Sequence, residues 1–213
     1  VITGVITAGV LAFFGLRLVQ GARYSVGGAG RRRVQEIIRG IRFRHVWPVP
    51  IVLTLVLATA VLLVQLPVLS WGWWTALGGQ GNPVFGSNDQ TNGTPLEWLL
   101  PLVFIMLLVP ALPLFALREE QMFRQGAEHW SWIRRAVMAL AFGLVHAIVG
   151  IPIGFALALS IGGAYFQFRY LRCFRQTGSQ REAVLESTRA HTAYNGIVLV
   201  GAVVALALLL AMG

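Results

Sequence analysis

Residues 96–124 read LEWLLPLVFIMLLVPALPLFALREEQMFR. From 97 to 117 the run is apolar except for its opening glutamate, and about 20 such residues are what an α-helix needs to cross a hydrocarbon layer of about 30 Å. It closes on Arg118, Glu119, Glu120 and Arg124. The rest of the chain is of the same kind: 56% of its 213 residues are hydrophobic and only 12% are charged, and the mean hydropathy is +0.70. That composition excludes an ordinary soluble domain. The expected fold class is all-α, a polytopic membrane helix bundle that forms one transmembrane domain over 1–213.

Working outward in both directions, hydropathy predicts about six transmembrane helices, at 1–16, 48–70, 97–117, 136–149, 151–168 and 190–212. The fourth and fifth abut at Gly150-Ile151-Pro152, which reads as a tight turn because proline disfavours helical geometry at the residue before it. All seventeen basic residues are arginine, and all fall in three connections, 17–44, 118–135 and 169–189. The outer loop 71–96 and the turn at 150 have none. Arginine bias sets orientation, so the Arg-rich loops are expected to be cytoplasmic and both termini of the given chain outside. The arginine-for-lysine bias also suggests a GC-rich, prokaryotic source, with an inner or internal membrane as the location.

The net charge of +9 would suggest a nucleic-acid surface in a soluble protein, but here the charges lie between spans and lipid is the expected partner, not nucleic acid. In the N-terminal region 1–70, Val34, Ile37, Ile38 and Ile41 follow a helical stripe while Arg32, Arg33, Arg39 and Arg42 lie off it. This predicts an interfacial amphipathic helix whose Arg-rich segment 31–44 meets anionic headgroups, at about 1 kcal/mol per arginine near the surface. Trp71, Trp73 and Trp74 begin the outer loop as an aromatic belt. Cys173 is the single cysteine, so neither a disulfide framework nor a Cys metal cluster is available. No basic n-region precedes the first apolar run, as a cleavable signal peptide would need, and a chain beginning at Val1 leaves room for residues before it.

Ionisable groups at or within spans are costly and usually functional. Three clusters qualify: Glu119-Glu120 with Arg124, Phe142 with His146, and His191 with Asn195. Glu120 and Arg124, Phe142 and His146, and His191 and Asn195 are each i, i+4 pairs that share a helix face. Glu119 and Glu120 diverge by about 100°, so one carboxylate faces the bundle centre squarely and the other obliquely. Span order places all three clusters in the cytoplasmic half of the bilayer. Gly143, Ala147, Gly150 and Gly154 recur at a spacing that permits close helix approach.

EEQMFR at 119–124 matches EExxxR, FGLVH at 142–146 matches FxxxH, and HTAYN at 191–195 matches HxxxN. In this order, at membrane spans, the three motifs resemble those of the CAAX-protease and bacteriocin-processing (CPBP, or Abi) intramembrane proteases, with a family-like catalytic core over about 97–212. The resemblance implies an intramembrane endopeptidase acting on a membrane-embedded or membrane-proximal polypeptide. It implies Glu119 as the base that activates water, with His146. Glu120 would orient the site or share a ligand role, and Arg124 would buttress Glu120. His191 and Asn195 would bind metal or stabilise the oxyanion. If a metal is present, the implied ion is Zn²⁺ on Glu120, His146 and His191; the zincin HExxH pattern is absent, and the residues leave a metal-free mechanism open.

Other intramembrane proteases fit worse: the only aspartate is Asp89, in the outer loop, and the glycine-flanked serine motif of a rhomboid is missing around Ser160. The alternative from another class is a non-proteolytic scaffold, assembly factor or accessory subunit of a larger membrane complex. A transporter or proton pathway using the same Glu and His side chains is a third.

Overall fold

The computed structural model describes residues 2–79, 82–84 and 93–212; Asp89 and part of the outer loop lie outside the described residues. All regular structure among them is helical: α1 (Ile2–Val26), α2 (Gly28–Arg39), α3 (Phe43–Val46), α4 (Val49–Leu63), α5 (Trp73–Ala76), α6 (Leu96–Phe123), α7 (Trp132–Val145), α8 (Ile153–Ala158), α9 (Ser160–Thr177) and α10 (Gln180–Met212), with 3-10 turns at Ala127–His129 and His146–Val149. Four stretches are long and apolar enough to cross a membrane: Phe43–Leu63, Leu96–His129, Trp132–Val149 and Gln180–Leu208. The first expected span lies within α1, and the fifth comprises α8 and the first half of α9; neither meets that criterion among the described residues. Leu62, Met106, Val137 and Val200 are each more than half exposed, an apolar exterior suited to lipid. The fold is that of a helical membrane bundle.

Local chemistry sets the helix ends. Ser131 caps α7, its Oγ accepting the Arg134 N–H at 3.3 Å. Gly178, at φ 65°, closes α9 by donating its N–H to Phe174 O at 2.8 Å. The tight turn expected at 150 is present, with Gly150 at φ 88°. Pro101, Pro110 and Pro113 lie inside α6 without ending it, as happens in membrane helices where neighbouring elements compensate for the lost bonds.

The arginine-bearing connections are not loops. α9 runs on to Thr177 and α10 starts at Gln180, leaving only Gly178 and Ser179 between them. Arginine is a good helix former, and buried Arg169 finds a carboxylate partner in Glu186. The three Arg-bearing connections are tied to one another: Arg181 pairs with Glu36, Arg44 with Glu186, and Tyr170 donates to Glu128 at 2.6 Å. The two arginine-free connections also meet, through Ile153 N–H to Trp71 O and Trp73 Nε1–H to Ile148 O. The charge asymmetry seen along the sequence is thus an asymmetry between two ends of one bundle.

Two amphipathic readings are refined by packing. α2 forms where the stripe predicts, but Ile37 is fully buried while Ile38 is 51% exposed, because the helix lies against α1, α6 and α10 and only part of its apolar face can point inward. Within the tryptophan cluster Trp71 is exposed and Trp74 is buried, so one side chain of the expected belt is core. α10 packs on α9 and α6, α7 on α9, and α4 on α8; the core they enclose includes Phe123, Phe142, Phe166 and Tyr194.

Candidate active site

Glu119 and Glu120 occupy the last turns of α6, and Arg124 is its C-cap. α10 contributes Ser187 and His191, α7 contributes Phe142, and α9 contributes Gly163 and Phe166. Glu120 is fully buried, and both its oxygens are engaged. Oε1 accepts from His191 Nδ1 at 2.9 Å and lies 3.3 Å from an Arg124 guanidinium nitrogen; Oε2 accepts from Ser187 Oγ at 2.7 Å. Arg124 is fully buried as well. Its Nη2 donates to Gly163 O at 3.1 Å, and its guanidinium lies 4.0 Å from the Phe142 ring centroid, a cation–π contact strengthened by desolvation. A buried ion pair is tolerated when further hydrogen bonds satisfy its remaining atoms; Ser187 and His191 do so for Glu120 and Gly163 O for Arg124 Nη2, while Nη1 has the ion pair but no hydrogen bond among the described residues.

That arrangement orients His191. A carboxylate only accepts, so Nδ1 carries the proton toward Glu120. Nε2 then faces Glu119, whose Oε2 is 3.7 Å away. The ring is stacked on Phe166 at 4.3 Å and is edge-on to Phe142 at 5.4 Å, which fixes its plane. Glu119 is of a different character from its neighbour: its side chain is 30% exposed, yet Oε2 itself is buried with no hydrogen-bond partner among the described residues.

His146 is the C-cap of α7. Its Nδ1 lies 2.7 Å from Phe142 O; a carbonyl only accepts, so Nδ1 donates and Nε2 keeps its lone pair. Phe142 is the hub of the site, its ring 5.0 Å from His146 and 5.4 Å from His191. Asn195 follows one turn after His191 on α10, half-buried, with no hydrogen-bond partner among the described residues. Close helix approach holds these parts together. A Cβ at Gly163 would lie 2.9 Å from Ala139 O and 3.0 Å from Phe142, and one at Gly143 would lie 2.4 Å from Ala156 O.

The side chains implied as Zn²⁺ ligands do not gather around one point. Glu120 spends its oxygens on His191, Ser187 and Arg124, and among the described residues no three His, Cys, Asp or Glu side chains are placed to hold one ion. As arranged, the donor set does not fit a tetrahedral zinc site.

A second buried cluster escapes the motifs. Glu186, one turn and a half before His191, is bridged by Arg169 from α9, by Arg44 at 2.9 Å and by His45 Nε2 at 3.0 Å. His45 is wholly buried; its Nδ1 accepts the Arg42 N–H at 2.9 Å, so the proton sits on Nε2, which lies 3.0 Å from Glu186 Oε2. Helical periodicity offered the only sequence signal, since Glu182, Glu186 and Arg189 share one side of α10; the partners are 142 residues away for Arg44, beyond any local pattern. Beside the site, an apolar groove of about 340 Å³ runs between α6 and α10, lined by Ile105, Val109, Leu112, Gly196 and Val200 among others. Comparison with known proteins returns no match among family models, curated proteins or solved structures.

Proposed function

We propose that the chain is an intramembrane endopeptidase of the CPBP type, hydrolysing a membrane-embedded or membrane-proximal polypeptide with water activated by Glu and His side chains. The observation that carries this reading is the contrast between the two adjacent glutamates. Glu120 is locked in a hydrogen-bonded ion pair, while Glu119 keeps a buried oxygen without a partner 3.7 Å from His191 Nε2. A partly exposed carboxylate with a free buried oxygen suits a general base.

In the proposed reaction a water molecule hydrogen-bonds Glu119 Oε2 and attacks the scissile carbonyl as Glu119 takes its proton. The tetrahedral oxyanion is stabilised by the side-chain amide N–H of Asn195, and Glu120 fixes the orientation of His191 beside Glu119. Collapse breaks the C–N bond and returns a proton to the leaving amine, with His146 Nε2 available to relay it. Arg124 pairs with Glu120 and holds it in place. The groove between α6 and α10 offers an apolar approach from the lipid.

The same reading gives the chain six spans in a prokaryotic inner or internal membrane, with the Arg-rich end cytoplasmic and both termini of the given chain outside. A second reading, a non-proteolytic scaffold or subunit of a larger complex, is favoured by one observation: most polar atoms of the constellation are satisfied by one another, as in a purely structural network.

The test compares membrane-proteome peptide termini in cells carrying the native chain with those carrying Glu119→Ala or His146→Ala at matched levels. Termini lost in both variants support hydrolysis and name the substrate. Unchanged termini, with a membrane complex disturbed by deletion, support the scaffold.

A further inference from the structure

At the Arg-rich end, α2, α6 and the start of α10 enclose a cavity of about 180 Å³. It is lined by Arg33 and Arg181, by Gln121, Gln125 and Gln180, and by the apolar Leu117, Val184 and Leu185; the Gln125 amide donates to Gln180 Oε1 and the Gln180 amide to Glu128. The volume is several times the ~30 Å³ share of one water molecule. Charge in this corner is incomplete. Glu36 pairs with Arg33 at 2.6 Å and with Arg181 at 2.9 Å, so one carboxylate serves two cations and one positive charge is left over. Among the described residues neither arginine pairs with another carboxylate: Glu128 accepts from Tyr170 and from Gln180 of the same pocket, and Glu182 lies in the first turn of α10. Both guanidinia remain accessible, with side-chain exposures of 42% and 71%.

A pocket in which two guanidinia share one carboxylate beside the Gln121 amide and apolar side chains matches a phosphodiester with the start of an acyl chain. We infer that this corner is a binding site for the headgroup of an anionic phospholipid, which completes the charge of the Arg33–Glu36–Arg181 triad and clamps α2 onto α6 and α10. The site touches the catalytic helices directly, since Gln121 follows Glu120 and Val184 lies one turn before Ser187. The inference does not depend on the hydrolytic reading, because it concerns binding and not turnover.

A ligand bound only by the folded state raises its stability in proportion to occupancy, so thermal unfolding of the full chain in neutral detergent reads the site. Phosphatidylglycerol is expected to raise Tm above the value in an equal mole fraction of phosphatidylcholine, and inorganic phosphate is expected to leave it unchanged. The double variant Arg33→Gln/Arg181→Gln should lose at least half of the lipid-induced shift, and Arg172→Gln, on an exposed part of α9, should keep all of it. Glu36→Gln separates binding from folding: it breaks the same ion pairs but frees both guanidinia, so its lipid-induced shift should grow. The inference is overturned by equal shifts in the native chain and the double variant, by a smaller shift in Glu36→Gln, or by an equal shift from inorganic phosphate, which would make the corner a soluble-anion site.

Discussion

Glu120 and His191 meet across the α6–α10 contact, the carboxylate accepting the imidazole Nδ1–H at 2.9 Å. The contact helps decide which of two adjacent glutamates is held in an ion pair and which keeps a buried oxygen without a hydrogen-bond partner among the described residues.

Glu119→Gln should reduce peptide cleavage by about 10²–10⁴-fold, the range for a lost general base, while changing stability little, because Glu119 Oε2 has no partner to lose among the described residues. Glu120→Gln should do the reverse in part: it leaves Arg124 buried without its counter-ion, at a cost of about 3–5 kcal/mol. Unfolding in detergent beside a cleavage assay on one membrane preparation separates the two. Equal loss of stability in both variants would sink the division of labour.

Glu186→Gln is expected to destabilise the chain by about 3–5 kcal/mol, since Arg169 is buried and its carboxylate partner would be gone. The loss should appear first as faster amide hydrogen exchange in α3, which His45 and Arg44 tie to α10 through this one side chain. Unchanged exchange in α3 would show that the short helix is held by other contacts.

Glycine at 163 and glycine at 162 should behave differently. A Cβ at 163 would overpack against Ala139 O and Phe142, whereas one at 162 would find its nearest neighbour, Phe166, at 3.8 Å. Gly163→Ala is therefore expected to cost about 1–3 kcal/mol and to displace the carbonyl that holds Arg124. Gly162→Ala should be tolerated. Thermal midpoints of the two variants decide it.

The strap between α2 and α10 should weaken in acid. Slight burial raises the Glu36 pKa, but Arg33 and Arg181 outweigh it and hold the carboxyl below its ordinary 4.5. A group with a depressed folded-state pKa contributes stability that is fully present above the unfolded value and is lost as pH falls through the folded one. The stability difference between the native chain and Glu36→Gln should thus be constant at neutral pH and shrink only below about pH 4.5. A difference that already declines between pH 7 and 6 would assign it to another group.

Much of this was legible without coordinates. Apolar run lengths specified a membrane bundle, because backbone polar groups in lipid must be satisfied within helices. The distribution of seventeen arginines foretold two unlike ends. The i, i+4 spacings put Glu120 with Arg124 and Phe142 with His146 on shared faces, since helical periodicity is a local property of the backbone. Connections were harder: arginine-rich stretches read as loops are largely helical, and Arg44, Arg169 and Arg181 in them meet carboxylates distant in sequence.

The sequence by itself therefore determined the solvent, the helical class and the local pairs. Only the tertiary structure decided that Glu120 rather than Glu119 turns inward, that Ser187 holds its second oxygen, and that Glu186 joins Arg44, His45 and Arg169 into a second buried cluster. Adjacent residues on a helix differ by about 100°, so which of them meets a partner depends on how each helix is rotated and how far it slides along its neighbours. Packing sets those two quantities, and no spacing within a single helix contains them.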